Sequence, residues 1–207
     1  MFGIGESMIY FDNAATTQRK PECVVKAVTE TLSNFGNPGR GVHEGASSAS
    51  RIVYEARVAL AELFGFNNPE RIAFTANATS ALNIAIKGIL EPGDHVITTA
   101  LEHNSVLRPL YEMEERGVKL TILSADTLGR LNYEEIESVI QENTKAIICT
   151  HSSNLTGNLI DIQRIGAIAK KNGVLFVVDA SQTAEFFQLM WKRCILISFV
   201  LQGTKGF

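Results

Sequence analysis

Val174-Leu175-Phe176-Val177-Val178-Asp179-Ala180-Ser181-Gln182-Thr183 sets a short apolar run against a carboxylate and a polar turn. Val174 to Val178 is β-branched and aromatic without alternation, the pattern of a strand buried on both faces. Asp179 therefore falls at the C-terminal tip of that strand, and Lys205 follows downstream. A carboxylate at a strand tip with a lysine beyond it is the pair that holding pyridoxal phosphate (PLP) requires. The carboxylate keeps the pyridine nitrogen protonated, and the lysine anchors the aldehyde. The same two residues have a second reading, in which Asp179 caps a turn or helix and Lys205 is a solvated side chain.

Outward from this strand, apolar runs of strand length alternate with stretches of helical period. Strands are predicted at Arg71 to Thr75, His95 to Thr99, Val118 to Leu123, Ala146 to Thr150 and Val174 to Val178. Helices are predicted at Ser47 to Phe64, Ser80 to Ile89, Asn104 to Arg116, Tyr133 to Glu142 and Ile162 to Asn172. This order implies βαβ units: an α/β fold with a mostly parallel sheet and helices on both faces, a three-layer αβα arrangement. Glu91-Pro92-Gly93-Asp94 and Asn172-Gly173 are the turns that separate helix from strand. Residues 1–45 lack the alternation and read as an N-terminal arm with a Gly/Pro/Asn loop, and residues 46–207 as the large domain.

Four places carry candidate chemistry. Ala76-Asn77-Ala78-Thr79-Ser80 lies between a predicted strand and helix, where free backbone N–H groups and the helix dipole suit a phosphate. Hydroxyls of Thr79 and Ser80 add donors; the plainer reading is an ordinary N-cap. His103 follows the strand His95 to Thr99, at the sheet edge where open α/β folds bind ligands, and its ring suits stacking on a pyridine and proton transfer. Asn154 and Gln182 offer amides for the phenolic oxygen of PLP, Asn154 also for a substrate carboxylate, unless they are turn residues. Asp179, Gln182, Asn154, His103 and Thr79 thus fall on one edge of the sheet. Asn13, in the arm Asp12-Asn13-Ala14-Ala15, and His43, ending the loop from Gly36, are candidate substrate contacts or surface residues.

Composition bounds the rest. The chain has 207 residues, 45% hydrophobic and 20% charged, enough for one core of ordinary size. A net charge of −3 and a pI near 5.8 argue against nucleic acid as the main partner, and no apolar stretch suggests a membrane span. Cys23, Cys149 and Cys194 are odd in number and widely spaced, so they read as reduced thiols, neither a disulfide framework nor a metal site. Met1 to Ser7 lacks the features of a signal peptide, and the expected compartment is the cytoplasm. There is no Gly-x-Gly-x-x-Gly loop after a strand, no Gly-x-Ser-x-Gly and no zinc spacing among the histidines.

Six segments in one order resemble the cysteine desulfurase group of class V aminotransferase-fold PLP enzymes. They are Tyr10 to Thr17 (YFDNAATT), Gly36 to His43 (GNPGRGVH), Phe74 to Thr79 (FTANAT), Leu101 to Ser105 (LEHNS), Ser153 to Gly157 (SNLTG) and Val178 to Gln182 (VDASQ). The resemblance implies a fold type I, aspartate aminotransferase-like large domain, PLP as cofactor and a homodimer. It further implies that Ala78 and Thr79 form the phosphate cup, that His103 stacks on the ring, and that Asn13 and His43 fold over the site. Lys205 then carries the cofactor, L-cysteine is the substrate, and sulfur passes to an enzyme cysteine, leaving alanine; complete relatives hand it on to an acceptor protein. Selenocysteine lyase and simple aminotransferase chemistry remain open within the same family.

From Glu185 onward the chain departs from that pattern. Thr204 stands where the family has a histidine before its lysine, and Gln202 where it has a Ser or Thr that helps hold phosphate. The resemblance implies a catalytic cysteine position that none of the three cysteines occupies, and a small C-terminal domain with the substrate-gripping arginine that is expected to be missing here. Codons exist for Glu185 to Thr204 that, read one base earlier and continued through Phe207, give GVFPVDVEKMHIDILCFTGHKGF, which looks like the family's next segment. A base lost near codon 184 is the expectation, with Lys205 retained by codon coincidence and an apolar segment unselected for packing. A non-catalytic remnant, at most a PLP-binding or dimerisation fragment, is the alternative to an enzyme.

Overall fold

A computed structural model of the chain describes residues 9–34 and 44–184 and the backbone of 198–200. It divides into two compact units, Met1–Val53 with Gly203–Phe207, and Tyr54–Gln202.

The first unit holds a helix the sequence reading did not predict, α1 (Glu22–Asn34), so the arm is not irregular throughout. Its hydroxyls return to the backbone one turn back: Thr29 to Val25, Thr31 to Ala27 and Ser33 to Thr29. Ahead of it, the amides of Ala15 and Thr16 both donate to the Asp12 carbonyl, closing a tight turn. The helix α2 (Glu44–Leu63) runs from this unit into the second.

In the second unit, α3 (Ala78–Ile89), β1 (His95–Thr99), α4 (Asn104–Glu115), β2 (Lys119–Leu123), α5 (Tyr133–Ser138), β3 (Thr144–Thr150), α6 (Ile162–Lys171) and β4 (Leu175–Asp179) follow in sequence, and β5 (Ser198–Val200) completes the sheet. The five strands lie in the order β2-β1-β3-β4-β5, and every pair is parallel. Alternate residues feed opposite faces. Val96, Ala146, Ile148 and Val177 pack with Leu82 and Ile86 of α3 and Val106, Leu110 and Met113 of α4. Ile97, Ile147, Cys149, Phe176 and Val178 pack with Ile162, Ile165 and Ala169 of α6. Both faces are covered, which is why these strands read as continuous apolar runs.

Two predicted elements differ from what formed. Arg71 to Thr75 is not a strand: Pro69–Arg71 make a 3₁₀ turn, closed by the Ile72 amide on the Pro69 carbonyl, and the residues after it form no ladder with a described strand. A strand needs a ladder partner, and a local apolar run does not supply one. The helix predicted over Tyr133 to Glu142 stops at Ser138, because Gln141 and Thr144 bond each other reciprocally in a turn that feeds β3.

At the amino ends of the strands His95 is buried, its Nδ1 2.7 Å from Thr144 Oγ1 and its Nε2 2.8 Å from Thr121 Oγ1. One imidazole thereby ties β1 to both neighbours, at the opposite end of the sheet from the candidate site.

Candidate functional site

Asp179 is the last residue of β4 and is 5% exposed. Its Oδ1 accepts from Ser181 N at 2.9 Å and Ser181 Oγ at 2.5 Å, and its carbonyl accepts from His151 N at 2.9 Å. The ion pairs among the described residues all lie elsewhere. A buried carboxylate without a cation is costly. The donor set at this tip therefore fits a ligand that brings its own N–H⁺, which a protonated pyridine nitrogen does.

Asn77 caps α3 by accepting from Ser80 N at 2.8 Å. The cap leaves the amides of Ala78 and Thr79, the first two of the helix, without an intrahelical acceptor. They fit a phosphate group. The Thr79 hydroxyl, expected as a phosphate donor, lies instead 2.9 Å from Ser105 Oγ.

Ser105 continues the chain of contacts to His103. The imidazole caps α4, accepting at Nδ1 from Ser105 N at 3.1 Å, with Ser105 Oγ 2.7 Å from the same nitrogen. Since an amide donates to it, Nδ1 holds the lone pair and the neutral ring carries its proton on Nε2. Ser105 Oγ then donates to Nδ1 and Thr79 Oγ1 to Ser105. Two hydroxyls and a ring thus join the start of α3 to the start of α4. Ser105 was not singled out from the sequence; its signal is a serine two residues past a capping histidine.

Asn154 is exposed on a turn built by Ser153. Ser153 Oγ receives the amides of Leu155 and Thr156 at 3.3 and 3.4 Å, and its carbonyl that of Gly157 at 2.9 Å. Gly157 has φ +71°, the left-handed conformation that favours glycine. Gln182 is half-buried just beyond Asp179. The structure thus brings Asp179, Gln182, Asn154, His103, Ala78 and Thr79 to one unit, Asp179 at the carboxyl end of β4 and His103, Asn154 and Gln182 beyond the ends of β1, β3 and β4.

Nearby, Thr183 Oγ1 lies 2.8 Å from His151 Nδ1, and burial pushes that imidazole's pKa down. Asn13 belongs to the other unit, where its Oδ1 accepts from Gln18 N at 3.3 Å. His43 and Lys205 lie outside the described residues. Cys149 is buried within β3 and Cys23 is exposed on α1. Among the described residues no group of His, Cys, Asp and Glu is placed to hold a metal ion, and no helix is long and apolar enough to cross a membrane.

The sequence pattern of the family described as Aminotransferase class-V matches residues 9–195. Cysteine desulfurase IscS of Histophilus somni is 38% identical over 210 aligned residues, covering 96% of this chain and 52% of that protein. A probable cysteine desulfurase of Methanothermobacter thermautotrophicus is 36% identical over 84% of this chain and 44% of its own length. Among solved structures, the apo cysteine desulfurase of Thermococcus onnurineus NA1 superposes with a TM-score of 0.87 at 34% identity, over 96% of this chain and 50% of that one. SspA in complex with cysteine gives 0.88 at 28% identity, over 95% and 57%. The chain thus spans about half the length of the relatives it matches. With the family pattern running through both units, and with a fold similar to that of cysteine desulfurases, this chain belongs to the class V aminotransferase family.

Proposed function

We propose that this chain is the PLP-binding part of an enzyme that removes sulfur from L-cysteine and leaves L-alanine. The observation that carries the reading is Asp179, a buried carboxylate at a strand tip with no cationic partner among the described residues. When bound, PLP supplies an electron sink for negative charge at the α-carbon of an amino acid.

The chain's own residues bind, orient and move protons. Asp179 holds the proton on the pyridine nitrogen. The amides of Ala78 and Thr79 would hold the phosphate, and His103 would face the ring, with Nε2 as its proton-bearing nitrogen. Asn154 and Gln182 donate to the phenolic oxygen; Asn13, His43 and Asn154 orient the substrate carboxylate. Lys205 would be the covalent attachment point and the base for the α-proton. None of the described cysteines is assigned the sulfur-accepting role, since a thiol buried in a strand, as at Cys149, is inert. Residues 1–45 act as the arm and 46–207 as the large domain of a homodimer.

Incubating the purified chain with PLP, reducing with borohydride and mapping the adduct by peptide mass spectrometry tests the reading. The expected result is one adduct, at Lys205, lost in Asp179→Ala. Labelling scattered over surface lysines would sink the reading and leave a chain that keeps only the fold of its relatives.

A further inference from the structure

Chain order reverses between β1 and β3: from β1 the chain steps outward to β2, and from β3 it steps the other way through β4 to β5. Such a reversal opens a crevice beyond the carboxyl ends of the strands, because the flanking connections leave toward opposite faces. Here α4 leaves on one face and α6 on the other. The carboxyl group of Glu102 sits between the two strand tips. Its Oε1 accepts from Thr99 Oγ1 at 2.6 Å and from Thr150 N at 3.0 Å. The residue is 7% exposed, and Oε2 has no hydrogen-bond partner among the described residues.

Thr150 also stands opposite Asp179 in the register of β3 and β4, with its hydroxyl 3.4 Å from the Asp179 carbonyl. Two buried carboxyl groups therefore share this edge, and none of the ion pairs among the described residues reaches either. Like charges held close in a dry site do not both ionise. An ionised Glu102 would also leave Oε2 as an unsolvated charge, a larger penalty than an unpaired hydroxyl.

We propose that Glu102 is the positioning residue of this edge: a neutral carboxylic acid whose Oε1 clamps the tips of β1 and β3 and whose Oε2 holds the proton, so that Asp179 alone presents charge to a ligand. The identity of that ligand rests on the proposed function; the clamp and the charge count rest on the two strand tips. Burial, the largest effect, pushes the Glu102 pKa up to about 8; hydrogen bonds from Thr99 and Thr150 pull it back, and the charge of Asp179 raises it further. His103, next in sequence, and His151, next to Thr150, are the other titratable groups of these tips, and neither contributes to that shift.

The sign of the consequence follows. With a folded-state pKa raised from 4.5 to about 8, the contribution of Glu102 is fully present below 4.5 and is lost as pH rises through about 8. The test compares the 207-residue chain with Glu102→Gln, Glu102→Ala and Asp179→Asn. Urea unfolding and PLP binding by absorbance are both followed from about pH 5 to about pH 9. Glu102→Gln keeps the shape and the neutral charge, so it should flatten the loss of stability between pH 4.5 and about 8 and hold PLP affinity at neutral pH within about twofold. Asp179→Asn should move the Glu102 titration to lower pH. Glu102→Ala, which removes the clamp, should weaken PLP binding by about tenfold or more.

A loss between pH 4.5 and about 8 that persists in Glu102→Gln, or a Gln variant as weak as Ala toward PLP, overturns the proposal. If the unmodified chain binds no PLP while Glu102→Gln flattens the profile and Asp179→Asn displaces it, the proposed function fails and the coupling of the two carboxyl groups stands.

Discussion

His103 and Asp179 were legible in the sequence because each follows an apolar run and so falls at a strand tip. Ser105 and Glu102 were not, although they flank His103 on either side. Their roles are set by partners far along the chain: Thr79 lies 26 residues from Ser105, and Thr150 lies 48 from Glu102. Local pattern carries no information on contacts at that separation. Ser105→Ala removes the hydroxyl that links Thr79 to His103 Nδ1, leaving Thr79 Oγ1 without that partner and Nδ1 with the Ser105 amide alone, at a cost of about 1–2 kcal/mol. The expected outcome is a threefold to tenfold weaker affinity for PLP, on the order of 1 kcal/mol, with the fold retained. Nitrogen NMR of the imidazole should show Nδ1 with a weakened hydrogen bond; an unchanged Nδ1 signal would mean that the hydroxyl chain does not form.

At the scale of elements, β1, β3 and β4 were recoverable because they are buried on both faces, and a strand of that kind is apolar throughout. Arg71 to Thr75 looked similar and lacked the one thing a run cannot encode, a neighbour to bond with. Phe74 is 51% exposed there, with the Arg57 guanidinium 5.8 Å from its ring centroid. The amino end of the sheet depends on His95, whose burial, aided by the positive charge of Lys119, pushes its pKa down from 6.5. A lowered histidine pKa means stability that is present above 6.5 and lost as pH falls through the folded-state value. His95→Leu leaves the Thr121 hydroxyl without its imidazole partner and the Thr144 hydroxyl with the Gln141 amide alone, so a loss of about 1–3 kcal/mol is expected near neutral pH. Urea unfolding at about pH 7.5 and about pH 5 should show that the variant loses less stability toward acid than the unmodified chain, the opposed titrations of Glu102 and His151 being common to both.

For the molecule as a whole, a ligand that binds only the folded chain raises its stability by mass action, about 2.7 kcal/mol at a hundredfold excess over Kd. Melting the chain with and without PLP should therefore raise the midpoint, and Asp179→Asn should erase the rise; an equal shift in both would show binding away from the β4 tip. Sequence alone determined the α/β class, the parallel sheet and the family, because burial on two faces and motifs in fixed order are written along the chain. Only the tertiary structure decided which polar groups meet: that Thr79 bonds Ser105, that Glu102 joins β1 to β3, and that Asp179 is buried with no cation beside it among the described residues. The physical reason is that burial on two faces marks a strand candidate in its own pattern, whereas ladder partners, and hydrogen bonds between strand tips, exist only once the sheet has set order and register.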